Sequence, residues 1–281
     1  MSEAPDLNDA AVIHNLRKSG KEMIDFQYLR ERNKEKLARL NLPSWKPRGK
    51  LLVYDLETPR PGEYYKFVLR DDDHRGSHGN FCGQVVRIVG GDELELYICG
   101  SGSSFEEVIH WAMENGVRVI NASWSGGAPE FCDFYLKRYT EWGGIFVAAA
   151  GNHANCAVDY PARSEYALAV SSTYGDNCYG PEIDITADRN YWIKTIDGLD
   201  NPFDGTSCAT PVIAACVLYI LEAYPHYKLK DVMQFLQDNS VPLEREYNRF
   251  FHFPDNFEKG NFSASPVSPV KAFLKALGFF R

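Results

Sequence analysis

From Lys50 onward, short apolar runs alternate with segments patterned for helix, and that alternation limits the fold more than any other feature of the chain. Leu51–Tyr54, Leu94–Cys99, Val117–Asn121, Ile145–Ala149 and Tyr166–Ser171 read as buried strands. Between them, Ser104 caps a predicted helix that runs through Asn115 and is stopped by Gly116. Phe131–Trp142 reads as a second helix, Thr210–Ala223 as a long buried one, and Lys230–Asn239 as an amphipathic one. Ser268-Pro269-Val270 opens a last predicted helix to Leu277, with Ser as the cap and Pro in the first position. Repeated strand–helix units predict an α/β fold with a mostly parallel central β-sheet and helices on both faces.

Residues 1–49 differ from the rest. The stretch from Asn8 to Leu40 is rich in Lys, Arg, Glu, Ala and Leu, with apolar residues at Ile13, Leu16, Ile24, Tyr28, Leu29 and Leu37. It reads as one or two amphipathic helices ended by Pro43 and Pro47. The chain therefore divides into an N-terminal helical segment, 1–49, and a larger unit, 50–281. The segment is either a permanent addition packed on the core or a removable piece that regulates access to a cleft; the sequence leaves both open.

The 281 residues, 44% of them hydrophobic, suffice for one large core or two modest ones. The net charge is −8 with no basic block, which argues against a nucleic-acid partner. No apolar run approaches the roughly 20 residues of a membrane span, so no membrane partner is expected. Met1 to Ala10 is acidic and polar, without a secretory apolar core. Seven cysteines at irregular spacings form no evident disulfide framework, and no C-x-x-C pair suggests zinc. These features predict a reduced, cytoplasmic setting and neither metal nor cofactor. They do not address oligomeric state.

Chemistry concentrates in Gly205-Thr206-Ser207-Cys208-Ala209-Thr210-Pro211, after a Phe-Asp turn and before a long apolar run. A serine at a helix start sits among N–H groups without helical partners, at the positive end of the helix dipole. That suits a nucleophile whose reaction creates an oxyanion beside it. Gly205 admits a close backbone, and Pro211 is expected in the first helical turn.

A base is found upstream in Ser77-His78-Gly79-Asn80-Phe81-Cys82, again with glycine beside the reactive group. A carboxylate to hold the imidazole is offered by Asp55, at the end of the strand Leu51–Tyr54, where parallel-sheet proteins build sites. The rival is the cluster Asp71-Asp72-Asp73. Ala148-Ala149-Ala150-Gly151-Asn152 follows a buried strand with small residues and ends on an amide donor, Asn152, suited to an oxyanion.

These strings resemble the subtilisin-like serine proteases, the subtilase family. The serine string is similar to G-T-S-x-A-[ST]-P. The histidine string is similar to H-G-T-H-x-A-G, nearest to the proteinase K and thermitase branch because Cys82 follows His78 by four. It departs at Phe81, Gly83 and Gln84, and Leu56-Glu57 replaces the family's usual Ser/Thr-Gly after the acid. The resemblance, from about Lys50 to the last helix, implies the subtilase fold and a serine endopeptidase. In that reading Ser207 is the nucleophile, His78 the base, Asp55 its orienting acid and Asn152 the oxyanion donor. It further implies that Ser123, Trp124, Ser125 and Gly126, in a segment similar to N-x-S-x-G-G, bind an extended protein or peptide substrate as an edge strand. Asp159, before Tyr160-Pro161, falls where the family commonly has glycine at the bottom of the pocket for the P1 side chain. A carboxylate there implies a preference for Lys or Arg, unless Asp159 turns away to cap local backbone or pair with Arg163. The departures leave a second reading, a catalytically inactive binding or structural protein on the same fold, and a third is a peptide ligase.

Overall fold

The structure, a computed structural model, describes residues 24–55, 64–66, 78–100, 103–126, 131–154, 156–195, 198–244, 246–255 and 257–259. The Asp71–Asp73 cluster, the Leu56-Glu57 turn and the helix expected from Ser268 lie outside the described residues. In chain order the elements are α1 (Phe26–Arg32), α2 (Lys34–Leu40), β1 (Lys50–Asp55), β2 (Tyr64–Lys66), α3 (His78–Gly90), β3 (Glu95–Gly100), α4 (Phe105–Glu114), β4 (Val119–Ala122), α5 (Phe131–Trp142), β5 (Ile145–Ala149), β6 (Ala167–Ser172), β7 (Ile185–Ala187), β8 (Tyr191–Lys194), β9 (Asp200–Phe203), α6 (Thr206–Ala223), α7 (Leu229–Asp238), β10 (Ser240–Pro242) and β11 (Arg249–Phe251).

The central sheet runs β10-β11-β7-β6-β5-β4-β1-β3-β2. It is parallel from β11 to β3, and β2 and β10 pair antiparallel at its edges. Side chains of successive strand residues point to opposite faces. Leu51, Val53, Val147 and Leu168 accordingly enter one core with α3 and α6. Leu52, Tyr54, Phe146 and Ala169 enter the other, with α4 and α5. Helices on both faces leave every residue of β4, β5 and β6 buried, which explains why β5 reads as a continuous apolar run and why β4 and β6 do not alternate, Asn121, Ser171 and Ser172 being their buried polar residues.

The strand order places the site. β1 lies between β3 and β4, so the chain moves outward on one side of β1 and then starts again on the other. A crevice opens at such a reversal, beyond the carboxyl ends of the strands. Asp55 is the last residue of β1.

Two local expectations need correction. α6 begins at Thr206, not Thr210, so Pro211 lies in its second turn. Gly205, at φ +80° and ψ −175°, makes the early start possible, because the chain enters the helix through a conformation that L side chains rarely adopt. β4 starts at Val119 rather than Val117 because the Val117 N–H is taken by the Ala112 carbonyl at 2.8 Å, closing the end of α4. α6 is long and apolar enough in composition to cross a membrane, but 89% of it is buried inside the protein.

The described part of the N-terminal segment shares this core. Leu29 and Leu40 are 0% and 1% exposed and pack in the same cluster as α3 and α6. Burying each is worth about 1.5–3 kcal/mol. Arg39 Nη1 donates to both carboxylate oxygens of the buried Asp188, at 2.7 and 2.9 Å, and the guanidinium lies over the Phe250 ring. Arg30 reaches the carbonyls of Arg87 and Ile88 near the end of α3.

Candidate active site

Asp55 is fully buried, and its two carboxylate oxygens lie 2.9 and 3.0 Å from His78 Nδ1. His78 opens α3, so the imidazole hangs from a helix start directly over the end of β1. With Nδ1–H donated to the carboxylate, Nε2 is left with its lone pair, the tautomer a base requires. A buried carboxylate without a partner would be costly, and the imidazole offsets that cost.

Behind the pair sits Cys82, one turn along α3. Its Sγ lies 3.6 Å from Asp55 Oδ2 and 3.9 Å from His78 Nδ1. These three residues place possible metal-ligand atoms within 4.8 Å of one another. Burial pushes the Cys82 thiol well above its ordinary range, and the neighbouring Asp55 charge adds to this. The group is therefore a thiol that donates, not a thiolate nucleophile. A second acceptor within its reach is the Ser207 carbonyl, at 3.7 Å. That carbonyl is available because Pro211, four residues on, has no N–H to fill it. Pro211 in the second turn thus frees the acceptor through which α3 and α6 are tied beside the site.

The sequence departures around His78 have local explanations. Phe81 packs on Phe203 at 5.7 Å between ring centroids, and His78 meets the same ring edge-on at 5.3 Å. Gln84 forms paired hydrogen bonds with the Lys194 backbone, one donated and one accepted, both 2.8 Å. Neither role was visible in the sequence, because the partners lie more than a hundred residues away.

Ser207 is the second residue of α6. In this structure its Oγ donates to the Ser123 carbonyl at 2.9 Å. Asn152 faces it across the cleft. The Asn152 Oδ1 accepts from the Thr206 N–H at 2.8 Å and the Thr206 hydroxyl at 3.0 Å. Two donors fix the orientation of the amide, which leaves Nδ2 as the end that can donate elsewhere. A Cβ at Gly205 would come within 3.0 Å of Asn152 Oδ1 and 3.1 Å of Nδ2. Thr206 and Gly205 together seat the amide, and reading the sequence as a nucleophile motif alone missed this.

His78, Ser123, Trp124, Ser125, Asn152 and Ser207 line one open cleft of about 220 Å³. Gly126 lies at its edge, where its N–H bonds the Tyr160 carbonyl at 3.0 Å in an isolated antiparallel bridge. Trp124 is fixed by donation to the Tyr54 carbonyl at 3.0 Å and by edge contacts with the Tyr54 and Phe105 rings. Asp159 sits behind this wall. Its Oδ2 accepts from Ser125 Oγ at 2.9 Å and from Cys178 Sγ at 3.8 Å. A Cβ on Gly151 would meet that oxygen at 2.5 Å, so glycine is required for the carboxylate to come so close to the backbone of the cleft floor.

The Subtilase family (Peptidase_S8) matches residues 99–258, more than half of the chain. The chain belongs to the subtilase family. The matched span holds Ser123, Asn152 and Ser207; Asp55 and His78 lie before it and rest on the structure. A thermostable alkaline protease of Halalkalibacterium halodurans is 31% identical over 156 residues, 51% of this chain and 43% of that protein. Subtilisin BL of Lederbergia lenta is 28% identical over 167 residues, 57% of this chain and 60% of that protein. The subtilase described here thus spans about half the length of these relatives. A crystal structure of a cold adapted subtilisin-like serine proteinase superposes with a TM-score of 0.60 at 21% identity, covering 77% of this chain and 97% of that one. This likeness is one of fold, and it agrees with the α/β sheet described above.

Proposed function

We propose that this subtilase is a serine endopeptidase. The observation that carries the reading is the pairing of buried Asp55 with half-buried His78, at 2.9 and 3.0 Å, opening on the cleft that Ser207 and Asn152 share. Ser207 Oγ leaves the Ser123 carbonyl, gives its proton to His78 and attacks the peptide carbonyl. Asp55 stabilises the imidazolium without taking the proton. The negative oxygen of the tetrahedral intermediate accepts hydrogen bonds from Asn152 Nδ2 and a backbone N–H at the start of α6, where the helix dipole adds to the stabilisation. His78 then gives the proton to the leaving amine as the C–N bond breaks, and a water deprotonated by the same imidazole attacks the acyl-enzyme and releases the acid, the proton returning to Ser207 Oγ.

The substrate is a protein or peptide held extended, its backbone pairing with the Ser123–Gly126 segment as an added strand. At P1 the reading favours Lys or Arg. Asp159 supports it as a half-buried carboxylate bonded to Ser125 on the cleft wall, and a cationic P1 group would share that acceptor. All seven cysteines are free, six of them buried. From this we infer a reducing compartment, in contrast to the halolysin-like extracellular serine protease Nep of Natrialba magadii, 32% identical over 152 residues. Counting thiols in the protein isolated from its native source tests this.

A fluorophosphonate probe tests the activity. Covalent labelling at Ser207, lost in Ser207→Ala and His78→Ala, is the expected result. An unlabelled, folded wild-type protein would overturn the proposal in favour of a binding protein on the same fold.

A further inference from the structure

The β8–β9 hairpin forms its own two-stranded sheet, apart from the central one. Trp192 faces Pro202 in its ladder. Proline has no N–H, so this pair cannot exchange hydrogen bonds, and the Trp192 N–H and C=O must point away from β9. The alternation of the strand sends the Lys194 N–H and C=O the same way. The outer edge of β8 therefore presents two peptide groups that need partners.

Both are met by side-chain carboxamides acting as substitute strand residues. Asn33, 1% exposed and set between α1 and α2, accepts from the Trp192 N–H at 2.9 Å and donates to its carbonyl at 3.0 Å. Gln84, also 1% exposed, accepts from the Lys194 N–H and donates to its carbonyl, both at 2.8 Å. Asn33 also donates to the Leu29 carbonyl, and Arg32 stacks over the Trp192 ring at 4.2 Å. One carboxamide belongs to the N-terminal segment. The other belongs to α3, the helix that carries His78.

The far end of the hairpin enters the active site. β9 ends at Phe203, whose ring meets His78 edge-on. The next residues are Asp204, paired with Arg189, then Gly205, Thr206 and Ser207. The hairpin is thus a brace between the helix that bears His78 and the turn that delivers Ser207. We propose that Asn33 and Gln84 are positioning residues for the reaction, and that the N-terminal helices are part of the catalytic scaffold rather than a cover over the cleft. This rests on the serine peptidase reading. Small displacements between reacting groups cost large factors in rate, because attack requires close and aligned approach.

The test uses the full chain. Asn33→Leu keeps the side-chain bulk and removes the carboxamide; Gln84→Met does the same on α3. Each should lower kcat by about tenfold to a hundredfold with KM within about twofold, at a temperature well below its own Tm. Asn41→Ala is the control, since Asn41 ties the same segment to the Phe253 carbonyl and Asp255, away from the hairpin. It should lower Tm and leave kcat within about twofold. Unchanged kcat in both carboxamide variants, with Tm lowered as in the control, would overturn the proposal. Hydrogen exchange gives a second readout. Amides of residues 203–207 should lose protection in either variant while those of β5 keep it. Protection retained at 203–207 in both would also overturn the brace. Failure of the peptidase reading is distinguishable, since the wild-type protein would then not label with the phosphonate while the exchange comparison still judges the brace.

Discussion

Thr206 holds Asn152 with two donors on one oxygen, its backbone N–H at 2.8 Å and its hydroxyl at 3.0 Å. The residue before the proposed nucleophile thus seats the proposed oxyanion donor, and the two parts of the site are built as one piece. Asn152→Ala should reduce kcat by about 10²–10³ with KM little changed, because the oxyanion exists only near the transition state. Thr206→Val keeps shape and N–H but removes one donor. It should cost less, about tenfold, in the same parameter. Steady-state kinetics on one peptide substrate checks both, and an effect confined to KM would mean that Asn152 has a structural role.

Asp55 makes a sharper prediction about which carboxylate matters. Asp55→Asn should reduce kcat by about 10⁴ with the fold intact, since the amide favours the wrong imidazole tautomer. Asp73→Asn should leave kcat near the wild-type value. The reverse pattern would transfer the role to the cluster at Asp71–Asp73. Circular dichroism on each variant separates loss of function from loss of fold.

Cys82 should be a point of inhibition without being a nucleophile. Its Sγ is 3.6 Å from Asp55 Oδ2, so a mercury ion on the sulfur would intrude on the pair from behind. Mercury added beyond what Cys156 takes up, until Cys82 is mercurated, should abolish activity, and Cys82→Ser should be resistant. Iodoacetamide under native conditions should modify Cys156, the exposed cysteine, and spare Cys82. Intact-mass analysis alongside activity checks both, and full activity with Cys82 mercurated would contradict the placement.

Asp159 carries the specificity prediction. With peptides differing only at P1, the wild-type protein should prefer Arg and Lys to Phe and Leu. In Asp159→Gly the preference should swing to apolar side chains, by about 10–100-fold, the equivalent of losing one charge-assisted hydrogen bond of about 1.5–3 kcal/mol. A wild-type preference for Phe that the substitution leaves unchanged would end this reading of the pocket. It would not touch the peptidase assignment.

Asp184 sets a pH dependence of stability. Its carboxylate accepts from the Ala169 N–H at 2.8 Å, but desolvation beside β6 and β7 raises its pKa from 3.8 to about 7. Between those values the native state keeps a proton that the unfolded chain has lost. Stability should therefore fall as pH rises through that window, by up to about 1.4 kcal/mol per pH unit from this group. Asp184→Asn keeps an acceptor for the Ala169 N–H and cannot ionise. Its Tm should vary less than that of the wild type from pH 5 to 8 and exceed it at pH 8, as calorimetry would show.

The strand–helix alternation and the buried runs such as Ile145–Ala149 were legible in the sequence, because a parallel strand covered on both faces must be apolar throughout. The proposed site residues Ser207, His78 and Asn152 were picked out there too, by the glycine and small residues beside them. The short strands β8 and β9 left no local signature. They lack a period, and their stability comes from partners far along the chain. The start of α6 was misplaced because Pro211 reads as an early helix residue, while only the turn at Gly205 fixes where the helix begins. By itself the sequence determined the fold class and the family, and it named the proposed site residues, through local pattern and local chemistry. Tertiary structure alone decided that Asp55 meets His78, that Thr206 seats Asn152, and that Asn33 and Gln84 complete the edge of one hairpin. Each of these depends on hydrogen bonds between groups that only the folded sheet brings within 3 Å.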